Sequence, residues 1–265
     1  MFKGFNIEYP EYEVRTPQTN LSYSVRSLNV QEEETLKGSL LSALKINDHL
    51  NQCLFGSLTK KPDGVETYDD FLKKTTLKDR EAILYGLYHI TYEEIRNYDI
   101  TCSSCRKEYP VTVKASSTFD MKSYPGNDVL TKEVHVALPI SKGVHAYIRQ
   151  PTLFDEMIAL KTMGVVIGTN MDILTETLIL SKFQQNPPEG DTIIYSERDD
   201  IIDAYKSLPS KDKREIYAKY REEFGQYGIS LKMLSTCIHC SSQAEIDIDL
   251  VENFFRMVHS IWSHK

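Results

Sequence analysis

No stretch of this 265-residue chain reaches the ~18 consecutive apolar residues of a membrane helix, and its start lacks a basic run followed by an apolar one. A membrane-embedded or secreted protein is therefore not expected; a soluble intracellular one is. Excess positive charge is lacking too: the net charge is -7 and the pI about 5.6, which leaves no global electrostatic reason to bind nucleic acid. Signatures of catalysis are equally scarce. There is no G-x-S-x-G, H-E-x-x-H or D-x-D-x-D-G pattern. Gly164-Val165-Val166-Ile167-Gly168 lacks the strand-G-x-G-x-x-G-helix order of a dinucleotide site and reads as a loop between helices. No small-molecule substrate is implied.

Cysteine is sparse but patterned. Of five cysteines, four form two C-x-x-C pairs, Cys102-Ser103-Ser104-Cys105 and Cys237-Ile238-His239-Cys240, each flanked by strand-like sequence. An odd cysteine count without a secretory signal favours reduced thiols and metal over a disulfide framework. Each pair reads as a knuckle on a tight turn, so that four sulfurs from two distant turns can surround one ion. Isolated thiols, a redox pair and a disulfide remain the alternatives. A thioredoxin-type pair sits between strand and helix, whereas these sit between strands. Four cysteines fill a tetrahedral shell and leave no position for an activated water, and zinc deaminases need an H-x-E that is missing here. His239 is an alternative ligand whose place inside the turn favours an exposed side chain. The metal ligands expected are Cys102, Cys105, Cys237 and Cys240, holding structural zinc, with no catalytic residue. Closing a flexible loop over residues 106–236 costs about 4 kcal/mol, and structural zinc contributes on the order of 10–16 kcal/mol, so the metal wins.

Residues 1–20 are polar, with Pro10 and Pro17, and read as an extended arm that orders on another molecule. Leu21 to Leu28 alternates as a strand, and Asn29 with Glu32 opens a helix carrying Leu36, Leu40, Leu44, Leu50 and Leu54, broken near Asn47-Asp48. A further helix is capped near Thr76 and buries Ile83, Leu84, Leu87 and Ile90, with Tyr85, Tyr88 and Tyr92 as a second stripe. Residues 132–140 and 144–148 make a hairpin. Helices follow around Phe154 to Leu160 and Met171 to Leu178, and Pro187-Pro188-Glu189-Gly190 reads as a linker. Two more helices, around Ile201 to Tyr205 and Ile216 to Phe224, part at Pro209, where Ser210 can cap the second. The basic residues Lys211, Lys213, Arg214, Lys219 and Arg221 interleave with acids and read as a solvated face. A terminal helix carries Phe254, Phe255, Val258 and Trp262, which serve either as core or as a partner-binding face.

The fold class expected is α+β, mainly helical, with a split zinc-ribbon-like β unit closed by the two knuckles. Its organisation divides into a 1–20 arm, a strand-helical region 21–113 ending in the first knuckle, a hairpin and helical insert 114–233, and the second knuckle with strand and C-terminal helix 234–265.

The order Val25-Arg26-Ser27-Leu28, Glu33-Glu34 ahead of Leu36, Leu50 to Phe55 with Cys53, Leu77-Lys78-Asp79-Arg80 leading Leu84 to Ile90, then Tyr98, Ile100 and the first knuckle, resembles the baseplate hub family of T-even-type tailed phages. Residues 244–250 and the last helix resemble that family's close; Ser27 departs from its usual proline, and residues 114–233 match nothing in it. The resemblance implies a non-enzymatic hub subunit or hub assembly factor. It would work by contacts with other hub or tail proteins, in the host cytoplasm during assembly or in the tail baseplate. A zinc-ribbon nucleic-acid-binding module, or an accessory protein of a phage enzyme, is the competing reading. Arg106, Lys107 and Tyr109 beside the first knuckle favour nucleic acid, while Glu245, Asp247 and Asp249 beyond the second favour a protein partner.

Overall fold

The computed structural model describes residues 8–37, 43–92, 95–114, 119–163, 171–187 and 189–247. Strands β1 (Glu11–Arg15) and β2 (Ser22–Arg26) form a hairpin with Val14 opposite Tyr23, and β3 (Leu58–Lys60) pairs with the other edge of β2. Part of the segment expected to be an arm is thus a strand of the chain's own first sheet. Its anchor is apolar and polar at once: Val14 is buried, and the backbone N–H of Gln18 donates to Asp79 at 2.8 Å.

Local signals place the helices of this half. Helix α1 (Val30–Lys37) opens on a reciprocal cap, with Glu32 N donating to Asn29 Oδ1 at 3.0 Å and Asn29 N to Glu32 Oε2 at 2.9 Å. Helix α2 (Ala43–Ser57) runs unbroken through Asn47-Asp48. Those polar residues are used from the helix flank instead: Tyr68 donates to Asp48 Oδ1 and Arg80 to Asn47 Oδ1. Helix α3 (Tyr68–Lys74) carries a Thr67–Asp70 capping box, and α4 (Leu77–Tyr92) starts with Thr76 Oγ1 accepting from Asp79 N at 3.0 Å. Ile83, Leu84 and Leu87 are fully buried, Ile90 is half-buried, and the three tyrosines expected to form an amphipathic stripe, Tyr85, Tyr88 and Tyr92, are buried too, because α4 packs on β1, β2 and a later strand. Gly86 permits the close approach of β1: a Cβ there would collide with Val14 Cγ2 and sit 3.1 Å from Tyr12. Gly86→Ala is therefore expected to destabilise by about 1–3 kcal/mol, the reverse of its helix-propensity gain. Urea unfolding checks this, and a stabilised variant would show that the contact yields at no cost.

The second half is built on a four-stranded antiparallel sheet, order β10-β9-β8-β7. The expected hairpin is present as β7 (Glu133–Ala137) and β8 (Val144–Arg149), with Val136 opposite Ala146. It is extended by β9 (Leu180–Gln185) and β10 (Ile193–Tyr195), so Pro187, Glu189 and Gly190 lie between two paired strands of one sheet. Helices α5 (Leu153–Met163) and α6 (Met171–Leu178) lead into β9. Helices α7 (Arg198–Ser207) and α8 (Ser210–Tyr220), the latter running into a π-helical turn at Arg221–Gly225, complete the unit. Ile201, Tyr205, Ile216 and Phe224 close the core over Ala146, Ile148 and Phe183. Ser210 makes no side-chain cap. Its neighbour Asp212 is buried and accepts from Ile140 N and Ser141 N at 2.8 and 3.0 Å, fastening α8 to the β7–β8 turn.

Two further sheets are formed among the described residues. β4 (Ile95–Thr101) pairs with β5 (Glu108–Lys114), and β11 (Gly228–Thr236) pairs with β6 (Phe119–Lys122) along its first half and β12 (Gln243–Asp247) along its second. The described residues are 41% helix and 29% strand in four sheets, an even α+β mix and not a mainly helical one. The expectation fell short because short strands such as β3, β9 and β10 lack strict apolar alternation. The cysteine turns close hairpins of two different sheets, an arrangement that does not define a zinc-ribbon fold.

Candidate metal centre

Each C-x-x-C pair lies on the turn joining two antiparallel strands: β4 to β5 for the first, β11 to β12 for the second. The two turns have the same backbone. Cys102 N donates to Lys107 O at 3.0 Å and Arg106 N to Cys102 O at 2.8 Å; Cys237 N donates to Ser242 O and Ser241 N to Cys237 O, both at 2.9 Å. The residue after each second cysteine is left-handed, Arg106 at φ 59° and Ser241 at φ 58°. Neither is glycine, so each turn carries about 1–2 kcal/mol of backbone cost that its surroundings must hold.

The hairpins meet through Tyr109, Val111, Met233 and Ile246, with Ser235 Oγ donating to Tyr109 Oη at 3.1 Å. Their turns also touch across the tip, where Ser104 and Ser242 hydroxyls are 2.8 Å apart and His239 Nε2 is 3.0 Å from Glu108 O. This places Cys102 Sγ 3.6 Å from Cys240 Sγ and Cys105 Sγ 3.7 Å from Cys237 Sγ, with all four sulfurs within 4.8 Å of one another. A disulfide needs about 2.05 Å, so the alternative of bridged cysteines does not fit. Four ligands at about 2.3 Å from a tetrahedral ion stand about 3.8 Å apart, which does. The four cysteines could hold a metal ion.

The electrostatics agree with that use. The backbone N–H of Cys105, with that of Ser104, draws the Cys102 thiol down to about 6, despite partial desolvation. Cys240 behaves in the opposite sense: Ser242 N–H favours its thiolate, but desolvation and the three neighbouring thiols push it up to about 12. Four crowded thiols cannot all ionise unless a cation sits among them. His239 N also donates to Cys237 Sγ at 3.4 Å.

All four expected cysteine ligands are thus brought together, and His239 is turned to a backbone carbonyl on the other hairpin. The fifth cysteine, Cys53, is buried in the first core, where burial pushes its thiol up to about 12. Phe254, Phe255, Val258 and Trp262 lie outside the described residues. The Ser104–Ser242 and His239–Glu108 contacts escape sequence reading; the only signal for them is the identical spacing of the two turns. Two exposed apolar side chains also belong to this unit, Leu234 on β11 at 75% exposure and Ile238 inside the second turn at 69%.

Fold and centre together describe a scaffold whose cysteines join chain segments far apart in sequence, and no helix among the described residues is long and apolar enough to cross a membrane. The sequence matches the family described as "T4 bacteriophage base plate protein" over residues 9–256, through the middle as well as both flanks. The chain belongs to this family of phage baseplate proteins. Membership implies contacts with other baseplate proteins and a place in the virion tail baseplate. No curated protein and no solved structure matches it.

Proposed function

We infer that this chain is a non-enzymatic subunit or assembly factor of the baseplate hub, held in shape by a structural zinc ion on Cys102, Cys105, Cys237 and Cys240. The family match over residues 9–256 carries the reading. Zinc is favoured because the donor set is four sulfurs at tetrahedral spacing, which suits zinc and leaves no coordination site open for a substrate or activated water. The ion's role is to hold two hairpins in one orientation. Leu234 and Ile238 project from that unit into solvent, and apolar side chains so displayed on a rigid hairpin suit a protein partner.

The nucleic-acid reading loses its main support at Tyr109. That ring is buried between the hairpins and bonded to Ser235, so it cannot stack on a base.

Leu234→Asp with Ile238→Asp, supplied in place of the natural chain during infection, is expected to reduce incorporation into hub subassemblies by tenfold or more while leaving metal content and the thermal midpoint unchanged. Quantitative mass spectrometry of purified subassemblies reads the first and elemental analysis the second. Absence of even the natural chain from such subassemblies at every assembly stage would refute the hub reading.

A further inference from the structure

The strand-and-helix segment Glu189 to Asp203 holds six carboxylates against one cation, so it carries -5 of the chain's net -7. That single cation is turned inward, with Arg198 Nη1 and Nη2 donating to Thr177 O and Oγ1 at 2.9 and 2.7 Å. The outer surface of the segment is therefore acidic. Through its centre runs β10, an end strand of the four-stranded sheet, paired only with β9 among the described residues. An edge strand offers alternate N–H and C=O groups to any extended chain of matching chemistry.

Three details make this edge a receiving one. Ile193 is 46% and Ile194 57% exposed, on opposite faces of β10, so an added strand would find an apolar neighbour on either side. Behind Tyr195, a cavity of about 430 Å³ opens between sheet and α7, with Val144, Phe183 and Leu208 at its apolar wall and Asp200 and Asp203 also lining it. Lys206 lies 3.4 Å from Asp203, but both are largely exposed, and such a pair is weak enough to exchange partners. A lysine or arginine stem fits that arrangement, its methylenes against the wall and its charge on the two aspartates.

Charge also decides between occupants. A second copy of this chain would bring the same carboxylates edge to edge, and nucleic acid or an anionic membrane would be repelled. We propose that β10 and the cavity beside α7 are a docking site for an extended, lysine- or arginine-bearing segment of another baseplate protein, which adds to the sheet as a further strand. This deepens the hub reading and rests on it for the partner's identity.

The test uses the full-length, ¹⁵N-labelled chain and a synthetic probe, acetyl-Lys-Val-Lys-Val-Lys-Val-Lys-amide, beside the same peptide with Glu for Lys. Binding of the Lys peptide with amide shifts confined to residues 193–195 and 198–208 is expected. It should weaken at least fivefold with Asp200→Asn/Asp203→Asn, and again between 50 and 300 mM salt by roughly the same factor. Ile193→Lys, an exposed change that the fold tolerates, should weaken it independently. Equal binding of the Glu peptide, shifts centred elsewhere, indifference to the substitutions or no binding would overturn the proposal. So would displacement signals in residues 248–265, which would make the chain's own C-terminal segment the occupant. The peptide result does not depend on hub membership, which is scored by incorporation, so either can fail while the other stands.

Discussion

The purified, reduced chain is expected to carry one zinc ion, and stripping it with a strong chelator to lower the thermal midpoint by about 10 °C. The estimate comes from the connection between the knuckles. Without the ion, residues 106–236 are no longer closed by the centre, and a flexible closure of that length is worth about 4 kcal/mol. The hairpins would keep only a small apolar contact around Tyr109, Val111 and Met233, while four thiols crowded within 4.8 Å would lose their counter-charge. Cys102→Ser and Cys237→Ser should each act alike, since three thiolates no longer complete the shell. Hydrogen exchange gives the sharper readout. Amides of 95–114 and 232–247 should lose protection on chelation, whereas those of α4, buried in the first core, should keep most of theirs. An unchanged melting curve in a sample shown to be metal-free would mean that no metal staples the two hairpins.

Asp79→Ala is expected to cost about 3–5 kcal/mol, although the residue lies apart from the paired cysteines in sequence and makes no ion pair among the described residues. Its carboxylate is fully buried at the start of α4 and accepts from Gln18 N at 2.8 Å, from Thr19 N at 3.3 Å and from Thr76 N at 3.5 Å. Truncation would leave those donors without a partner and release the turn that ties β1 to α4. That turn also reaches the second half of the molecule, because Gln18 Nε2 donates to Phe224 O and Tyr227 O at 3.3 and 3.2 Å. Burial holds the Asp79 carboxyl above its usual range in spite of these donors. The folded state therefore takes up a proton at higher pH than the unfolded chain. That contribution is fully present below the unfolded value of ~3.9 and is lost as pH rises through the folded one. The alanine variant should lack this dependence. Equilibrium unfolding of both proteins across pH 4–8 checks it, at roughly unit intervals; a loss below about 1 kcal/mol would mean that water replaces the carboxylate.

Much of the local structure was written in short patterns. Asn29 with Glu32 and Thr76 with Asp79 start helices where their spacing says they should, and the identical C-x-x-C turns appear as two matching left-handed knuckles. The strand Ser22–Arg26 and the β7–β8 hairpin were legible for the same reason, since their partners are close in sequence and their alternation is strong. Asn47-Asp48 misled, because two polar residues inside a helix look like a break until Tyr68 and Arg80 are seen to use them.

What the sequence by itself determined is the chemistry of the centre: which four side chains could hold a metal ion, and that each pair sits on a turn. Only the tertiary structure decided that the pairs face each other, with Cys102 and Cys240 meeting across 138 residues. It also decided that residues 11–15 pair within the chain's own first sheet, and that an acidic segment after Pro187 becomes a sheet edge. The reason is physical. Turns and caps are fixed by neighbours within a few bonds, whereas a strand's partner, or a buried carboxylate's donors, are chosen by which distant segments can share one core.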